Sequence, residues 1–467
     1  MPPSSRLIPL IIASALFMEN MDSTVIATAL PAIAADLGTD PIALKLAFTT
    51  YLLSLTVFIP VSGWSADRFG ARNVFRLAII VFTLGSIACG LATSLGGLVA
   101  ARAVQGIGGA MMVPVGRIIL LRSIPKSELV DALAWLTIPA LLGPLVGPPV
   151  GGFITDTFSW RWVFWMNVPF GIAAIAFASR LMPKIEIDHV PPLDVTGFLL
   201  SGAGLSATVF GFTVMGRDLL PGLAPYGLVL IGLVLLYFYL RHARASPAPI
   251  LDLRLLKVAT FRAGVLGGSL FRVGVGAVPF LLPLLFQLGF GMTAFRSGLL
   301  TCAAAAGAIS MKFPAARLIR RFGFRHLLII NGVLASLSIA ALGFLTPSTA
   351  FAVVMPLLFA GGFLRSLQFT AMNAMAYSDI ENREMSHATS LYTVIQHLSL
   401  SAGVVLAAFV LEATQFWRGD ASIVVADFAM AFVVVALCAI ASVLHFINLS
   451  ADAGASVSGR ASRTLDE

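Results

Sequence analysis

Fourteen stretches of about 20 mostly apolar residues follow one another along this chain, separated by short polar segments. The hydrocarbon core of a bilayer is about 30 Å thick, so a helix needs roughly 20 apolar residues to cross it. Apolar residues make up 58% of the chain and charged residues only 11%, which lies outside the range of soluble domains. The pattern therefore predicts an all-α integral membrane protein with fourteen spans.

The seventh and eighth spans have an alternative interpretation. The segment GRDLLPGLAPYG between them also fits a re-entrant feature, and dropping both spans leaves twelve. The final residues, 449–467, are small and polar, and we expect a disordered cytoplasmic tail. The predicted spans are residues 7–29, 44–64, 73–93, 96–117, 131–154, 162–181, 194–214, 223–241, 261–286, 294–313, 325–345, 350–372, 388–412 and 424–448.

Lysine and arginine are concentrated in the loops on one side of the predicted spans. Because cytoplasmic loops are enriched in these residues, both termini are predicted to be cytoplasmic in a bacterial-type inner membrane. This bias also explains the net charge of +8 without a nucleic-acid partner. No cleavable signal is expected, since the first residues run directly into a span and lack a small-residue cleavage site.

Two loops of the chain share one pattern. GWSADRFGAR at 63–72 and ARLIRRFGFR at 316–325 align without gaps and have Arg-Phe-Gly-x-Arg in common. Internal repeats of this kind decide the architecture of many carriers. We therefore predict two six-helix halves in the same orientation, residues 1–185 and 258–448, with two extra spans in the linker 186–257.

The first of these loops resembles the signature of the major facilitator superfamily, Gly-x-x-x-Asp-Arg-x-Gly-x-Arg. Three further segments resemble the fourteen-helix drug:proton antiporters of the EmrB/QacA type, with the HsrA-like branch nearest. They are MDSTVIATALPAI in the first span, with Met21 in place of the usual Leu, LVAARAVQGIGGA in the fourth and GPPVGG in the fifth. The resemblance covers nearly the whole chain, including SWRWVFWMNVPFG and LDVTGFLL. It implies the major facilitator fold and the export of compounds in exchange for protons.

The first span contains two acids, Glu19 and Asp22. A spacing of three places both on one helical face, about one turn apart. Acids inside membrane spans usually face the bundle interior and often serve in proton pathways. We predict that both take part in proton coupling, with Asp22 also supported by the resemblance. The alternative is that either acid is only hydrogen-bonded to neighbouring helices.

The fourth span carries Arg102, with Gln105 one turn further along the same side. A guanidinium is not neutralised in proteins, so it needs an anion, carbonyl groups or water. Asp22 and Glu19 are the candidate partners. The resemblance implies that Arg102 takes part in proton transfer, and the alternative is that it only ties the first helix to the fourth.

Glycines four residues apart form a smooth stripe along the fifth span, and prolines kink the same helix. We expect this stripe to face the opposite half, where a bent and closely packed helix suits a gate. The resemblance implies export, and the alternative is packing without gating. The predicted antiporter motif comprises Gly143, Pro144, Gly147, Pro148, Gly151 and Gly152.

The signature loop is predicted to form a cytoplasmic gate. An aspartate beside a helix N-terminus and two arginines can form ion pairs that break when the two halves move against each other. The alternative for the arginines is a role in topology alone. In the second copy Arg320 stands where the first has Asp67, so we expect no symmetric gate there. The predicted gate residues are Gly63, Asp67, Arg68, Gly70 and Arg72.

Polar residues inside the later spans match no motif, but they lie deep enough to line a substrate cavity. Arg272 and Arg365 would let such a cavity accept an anionic or zwitterionic compound. His397 could titrate, and its alternative is a packing role. Together with Gln105, the predicted cavity residues are Arg272, Arg365, Gln368, Asn373, Gln396 and His397.

These features predict a proton-coupled efflux transporter for small amphiphilic compounds, cationic ones included, that works by alternating access. The chain has no Walker-type phosphate loop and no catalytic set, so neither an ATP-driven pump nor an enzyme is expected. The three cysteines lack metal-ligand spacing, and the proton gradient is the only energy source, so we expect no metal or cofactor. Expected partners are substrate, protons and the lipid bilayer, and nothing requires more than a monomer. A proton symporter that imports a small metabolite and a non-transporting membrane sensor remain as alternatives.

Overall fold

The computed structural model describes residues 3–123, 129–182, 192–215, 221–381, 384–419, 423–450 and 454, and all regular secondary structure in them is helical. Short 3₁₀ helices lie at Pro41–Leu44 and Leu253–Lys257, and a π-helical turn lies at Leu285–Gly289. The α-helices are α1 (Pro3–Asp36), α2 (Lys45–Phe69), α3 (Ala71–Gly90), α4 (Leu95–Ser123), α5 (Leu129–Thr157), α6 (Trp162–Trp165), α7 (Asn167–Leu181), α8 (Val195–Val214), α9 (Ala224–Ala245), α10 (Ala259–Leu284), α11 (Ala294–Ser310), α12 (Ala315–Leu342), α13 (Phe351–Ala376), α14 (Met385–Arg418), α15 (Val425–Ala441) and α16 (Val443–Ile447).

Twelve helical segments within the described residues are long and apolar enough to cross a membrane. The chain is therefore a multi-pass membrane protein, and the predicted all-α membrane fold is confirmed. Each of the fourteen predicted spans contains one helix or two consecutive helices. However, α11 has only 17 residues and α5 is not among the twelve, so the number fourteen stays a prediction.

The chain divides into two compact units. The first contains Met1–Ile250 together with Thr293–Gly298, and it includes α8 and α9, which pack against each other while α8 also packs on α2. Its core lies among α1, α2, α3, α4 and α7, where Phe75, Phe82 and Ile119 have no exposed surface. The predicted boundaries at residues 185 and 257 remain a prediction.

The second unit contains Leu251–Met292 and Leu299–Glu467. Within it α10 packs against α13, α14 and α15, and α12 packs against α13 and α15. Phe261, Phe271, Phe280 and Phe428 are fully buried there. Apart from Leu449, Ser450 and Gly454, the predicted tail lies outside the described residues.

Asp194 fixes the start of α8 through three contacts. Its carboxylate accepts hydrogen bonds from the Gly197 backbone N–H at 2.9 Å and the Ile250 backbone N–H at 3.2 Å, and it contacts His242 Nε2 of α9 at 2.7 Å. Partial burial raises the pKa of Asp194, but these three contacts together lower it further, so the net shift is downward from 3.8. Above the ordinary pKa, ionised Asp194 therefore contributes to the free energy of unfolding. This contribution is lost as the pH falls through the lowered pKa that Asp194 has in the folded protein.

The two related loops adopt related backbone conformations. Gly70 has φ 85° and ψ 124° between α2 and α3, and Gly323 has φ 71° and ψ 163° at a kink inside α12. A positive φ with extended ψ is reached almost only by glycine. The Arg-Phe-Gly-x-Arg repeat therefore encodes the same helix-breaking turn in both halves of the sequence.

Replacing Gly70 by Ala should destabilise the protein by about 1 to 3 kcal/mol, because an alanine would be strained at this backbone conformation. Space is not the obstacle, since the nearest atom to an added Cβ is Asn73 Nδ2 at 3.8 Å. Gly63 is the matched control. It lies inside α2, and a Cβ there would meet no atom within 4 Å. Denaturation in detergent should show Gly63→Ala equal to or more stable than the wild type, and equal losses in the two variants would contradict the assigned conformation.

Candidate functional site

Asp22 of α1 lies in the interior of the first unit and forms an ion pair with Arg102 of α4. The distance from Arg102 Nη1 to Asp22 Oδ2 is 2.6 Å, and both residues are 1% exposed. Of the two acids proposed as partners for Arg102, the structure thus selects Asp22. The pair joins α1 to α4.

Three further polar side chains complete a buried network around the pair. Asp22 Oδ1 accepts hydrogen bonds from Gln105 Nε2 at 2.8 Å and from Asn167 Nδ2 at 2.9 Å. The hydroxyl of Ser86 accepts from the same two amides, at 2.8 and 2.9 Å, and Gln105 Oε1 accepts from Arg102 Nη1 at 2.6 Å. Helices α1, α3, α4 and α7 are therefore tied together at one polar point.

Ser86, Asn167 and Tyr51 were not predicted from the sequence as members of this site. The guanidinium carbon of Arg102 lies 4.1 Å from the ring centroid of Tyr51, a cation–π contact that helps to stabilise a charge removed from water. Asn167 does fall in the segment SWRWVFWMNVPFG that carries part of the family resemblance. Ser86 and Tyr51 carry no local signal, because only the packing of separate helices brings them to Arg102.

The geometry of this network suits an ionised carboxylate. Asp22 accepts hydrogen bonds from three donors and donates none. A buried charge is tolerated when it is paired and hydrogen-bonded, and removing one partner is costly. Gln105, predicted as a cavity residue, is fully buried and belongs to this network instead of lining an open space.

Glu19 lies on α1 one turn before Asp22 but outside the network. Its side chain is half-buried, and Oε2 is buried without a hydrogen-bond partner among the described residues. The two acids predicted to act together thus have different surroundings. Asp22 is enclosed by donors, whereas Glu19 keeps an oxygen available for a proton or a cation.

The glycine stripe of α5 packs against α1 of the same unit. A Cβ added at Gly143 would lie 3.0 Å from the Asn20 Cβ, one at Gly147 would overlap with the Thr24 hydroxyl, and one at Gly151 would lie 2.8 Å from the Thr28 hydroxyl. The contacted residues of α1, Asn20, Thr24 and Thr28, also follow at intervals of four and in the same order, so α1 and α5 run parallel. The expectation that these three glycines face the opposite half is therefore wrong, because helical spacing identifies a shared face but not the neighbour that covers it.

The rest of the predicted motif on α5 lies beside a short stretch that clusters with the first unit. A Cβ at Gly152 would overlap with the Ala294 carbonyl, and the Pro148 carbonyl lies where a Cβ of Gly298 would be. Asp156, one turn after Gly152, accepts hydrogen bonds from the backbone N–H groups of Ala294 at 3.2 Å and Phe295 at 2.8 Å. Pro144 lies within α5, one residue after Gly143.

The predicted gate residues occupy the junction of α2 and α3. Asp67 is half-buried in the last turn of α2, and Arg68 beside it is exposed. Arg72, in the first turn of α3, donates a hydrogen bond to the carbonyl oxygen of Ser179 on α7. Gly63 lies inside α2, and Gly70 forms the break between the helices.

The predicted cavity residues of the second unit separate into two groups. Gln368 is fully buried and satisfied, since it accepts from Asn331 Nδ2 at 2.8 Å and donates to the Leu328 carbonyl at 3.0 Å, so it joins α12 and α13. Among the other residues, Arg272 donates one hydrogen bond, from Nη2 to the Tyr392 hydroxyl. Arg272 and Arg365 are buried, Asn373, Gln396 and His397 are half-buried, and both Asn373 Oδ1 and His397 Nδ1 have no partner among the described residues.

Comparison with known proteins places this arrangement in a family. The sequence pattern of the Major Facilitator Superfamily matches residues 12–404. The chain belongs to this superfamily. The superfamily resemblance noted in the sequence is thus confirmed, and with it the expectation of a transporter instead of an enzyme.

Two relatives and one solved structure illustrate the similarity. The provisionally named multidrug resistance protein MdtD of Escherichia coli is 36% identical over 413 residues, covering 88% of this chain and 87% of the relative. The MdtD of Yersinia enterocolitica is 37% identical over 403 residues, covering 86% and 85%. The crystal structure of the POT family transporter PepTSo superposes with a TM-score of 0.70 at 15% identity, covering 94% of this chain and 97% of that chain. This last similarity concerns the fold alone.

Proposed function

We propose that this superfamily member is a proton-coupled antiporter that exports small amphiphilic compounds, cationic ones included. The observation that carries the proposal is the fully buried Asp22–Arg102 pair, a titratable acid inside a membrane transporter. The MdtD relatives, named for multidrug resistance, support export of drug-like compounds. The resemblance of the first, fourth and fifth spans to drug:proton antiporters supports the coupling to protons.

Asp22 is the proposed proton site. In the described arrangement its carboxylate accepts from Arg102, Gln105 and Asn167. Protonation removes the negative charge of Asp22 and adds an O–H donor, so the ion pair with Arg102 becomes a weaker contact to a neutral group. Protonation therefore weakens the link between α1 and α4, and this supplies a physical route from proton binding to helix movement.

Arg102 and Glu19 adjust this site in the proposal. Arg102 keeps its charge at any working pH, so it favours the ionised form of Asp22 until a proton arrives. Glu19, with one unpartnered carboxylate oxygen, is placed to exchange protons or to attract a cationic substrate. Substrate and proton then oppose each other, and the proton gradient drives export.

The remaining parts of the proposal concern membrane topology and gating. We propose fourteen spans, both termini in the cytoplasm of a bacterial inner membrane, and action as a monomer. The two units alternate access to the substrate site. The α2–α3 junction with Asp67, Arg68 and Arg72 serves as the cytoplasmic gate, and the glycines of α5 let that helix pack closely on α1 while it bends.

Gradient-driven transport by the purified protein in liposomes tests this function. The probe is the ethyl ester of rhodamine B, an amphiphilic aromatic cation, with the membrane potential clamped by potassium and valinomycin and a pH-sensitive dye trapped inside. An acidic lumen should drive dye uptake above that of protein-free liposomes, with alkalinisation of the lumen. Uptake driven by an acidic exterior would establish import by symport, and absence of flux despite dye binding would establish a sensor.

A further inference from the structure

Arg272 of α10 is a fully buried cation with an incomplete set of partners. The guanidinium has no exposed surface, and its Nη2 donates a hydrogen bond to the hydroxyl of Tyr392. Its Nε and Nη1 are buried without any acceptor among the described residues. Buried charges are normally paired and fully hydrogen-bonded, so these two donors indicate a missing anion.

The rings of Phe369, Tyr377 and Tyr392 form a flat apolar surface, which we call the aromatic shelf, beside this guanidinium. Its carbon lies 4.4 Å from the ring centroid of Tyr392 and 5.6 Å from that of Phe369. Tyr377 packs on Tyr392 with centroids 5.3 Å apart. Such a shelf offers flat apolar surface next to a positive charge.

A polar stripe on α13 continues the same surface. Arg365, Phe369 and Asn373 follow at intervals of four residues and share one face of α13, and Tyr377, the residue directly after this helix, continues the spacing. Arg365 is 9% exposed and forms no hydrogen bond or ion pair with described residues. Asn373 Oδ1 is buried without a partner, while Phe369 and Asn373 are only half-buried. The stripe therefore combines unsatisfied polar groups with partly accessible surface.

No acid of the surrounding helices balances this charge. The sequences of α10, α11, α12 and α13 contain neither Asp nor Glu. The one acid of α14, Glu412, lies 20 residues beyond Tyr392, about 30 Å along the helix. Asp427 of α15 is also buried, but it is paired with Arg418. Neither Arg272 nor Arg365 thus pairs with an acid among the described residues, whereas Arg102 of the first unit pairs with Asp22.

We propose that Arg272 and Arg365, with the aromatic shelf of Phe369, Tyr377 and Tyr392, form a subsite for the carboxylate of an aromatic substrate. The anion accepts a hydrogen bond from one of the two unpartnered donors of Arg272, Nε or Nη1, which lie on different edges of the guanidinium, and the aromatic body stacks on the shelf. Opening of the half-buried stripe on α13 admits it during the transport cycle. This assignment rests on the proposed export function and adds aromatic carboxylates and zwitterions to its substrates.

Equilibrium binding in detergent tests the subsite without any proton gradient, so its failure is distinct from failure of proton-driven export. The probes are rhodamine B, which carries a free carboxylate, and its ethyl ester, which does not. Fluorescence anisotropy should give an affinity of the wild type for rhodamine B about tenfold higher than for the ester, the gain typical of one charged hydrogen-bonded contact. Arg272→Gln should remove this preference and keep the affinity for the ester.

Arg262→Gln is the matched control, because it removes an exposed arginine from the same helix. Equal affinity of the wild type for the two dyes, no binding of rhodamine B, or a preference that survives Arg272→Gln would overturn the proposal. A wild-type experiment covers the case in which Arg272→Gln does not fold. Salicylate should displace rhodamine B and neutral salicylamide should not, and equal displacement by the two would also overturn it.

Discussion

Replacing Asp22 by Asn should reduce gradient-driven uptake of the rhodamine B ester to the level of protein-free liposomes, while exchange of dye for dye across the membrane continues. Asn has nearly the same shape as Asp but cannot carry the exchanged proton. Substrate movement by itself needs no titration at this position, so exchange should survive. The measurement is dye uptake with an acidic lumen beside dye exchange without a gradient.

Glu19→Gln is the companion variant, because Glu19 shares the face of α1 one turn away and lies outside the polar network. It should lower gradient-driven uptake and shift its dependence on pH without abolishing it, because Asp22 still carries the exchanged proton. Full uptake by Asp22→Asn would remove Asp22 from the coupling mechanism. Loss of uptake in Glu19→Gln alone would transfer the coupling site to Glu19.

Removing Arg102 alone should lower the free energy of unfolding by about 3 to 5 kcal/mol, and removing both members of the pair should restore most of it. Arg102→Gln leaves the buried carboxylate of Asp22 without its cation, and Asp22→Asn leaves the cation without its anion. The double variant Asp22→Asn/Arg102→Gln has no buried charge at the site. Its stability should lie within about 1 kcal/mol of the wild type, because neutral replacements of buried pairs are often tolerated.

The control for this cycle is the ion pair of Arg161 and Asp36. Its distance is also 2.6 Å, but its side chains are 26% and 44% exposed. An exposed pair of this kind contributes about 0 to 1 kcal/mol. Denaturation of all variants in one detergent should therefore show strong coupling for the buried pair and weak coupling for the exposed one. A stable Arg102→Gln variant, or a double variant less stable than either single one, would contradict the assigned ion pair.

The central residues of the site were predictable because charged side chains are rare and energetically costly inside membrane spans. An acid or an arginine inside a span needs a partner, so the sequence predicted that Arg102 pairs with Asp22 or Glu19, and the structure selects Asp22. Ser86, Asn167 and Tyr51 could not be predicted, because serine, asparagine and tyrosine are ordinary residues in spans until separate helices bring them together. Gln105 was assigned to the correct face of α4, but its hydrogen bonds to Asp22 and Ser86 follow only from the packing of α1 and α3.

The glycines show the same limit for packing. The spacing of Gly143, Gly147 and Gly151 predicted a smooth face, and the structure places that face against Asn20, Thr24 and Thr28 of α1. A period of four identifies a surface but carries no information on which helix covers it. Gly70 and Gly323 are the opposite case, since the positive φ is a local property that both copies of the repeated motif share.

Proton release on substrate binding tests the proposed competition at Asp22 most directly. The purified protein is held in weakly buffered detergent solution with a soluble pH indicator. The pH is set where the affinity of that protein for the dye is halfway between its high-pH and low-pH values, and the rhodamine B ester is then added. The wild type should release protons as it binds the dye, and Asp22→Asn should bind the dye without release. Proton uptake by the wild type, or equal release by the variant, would contradict antiport through Asp22.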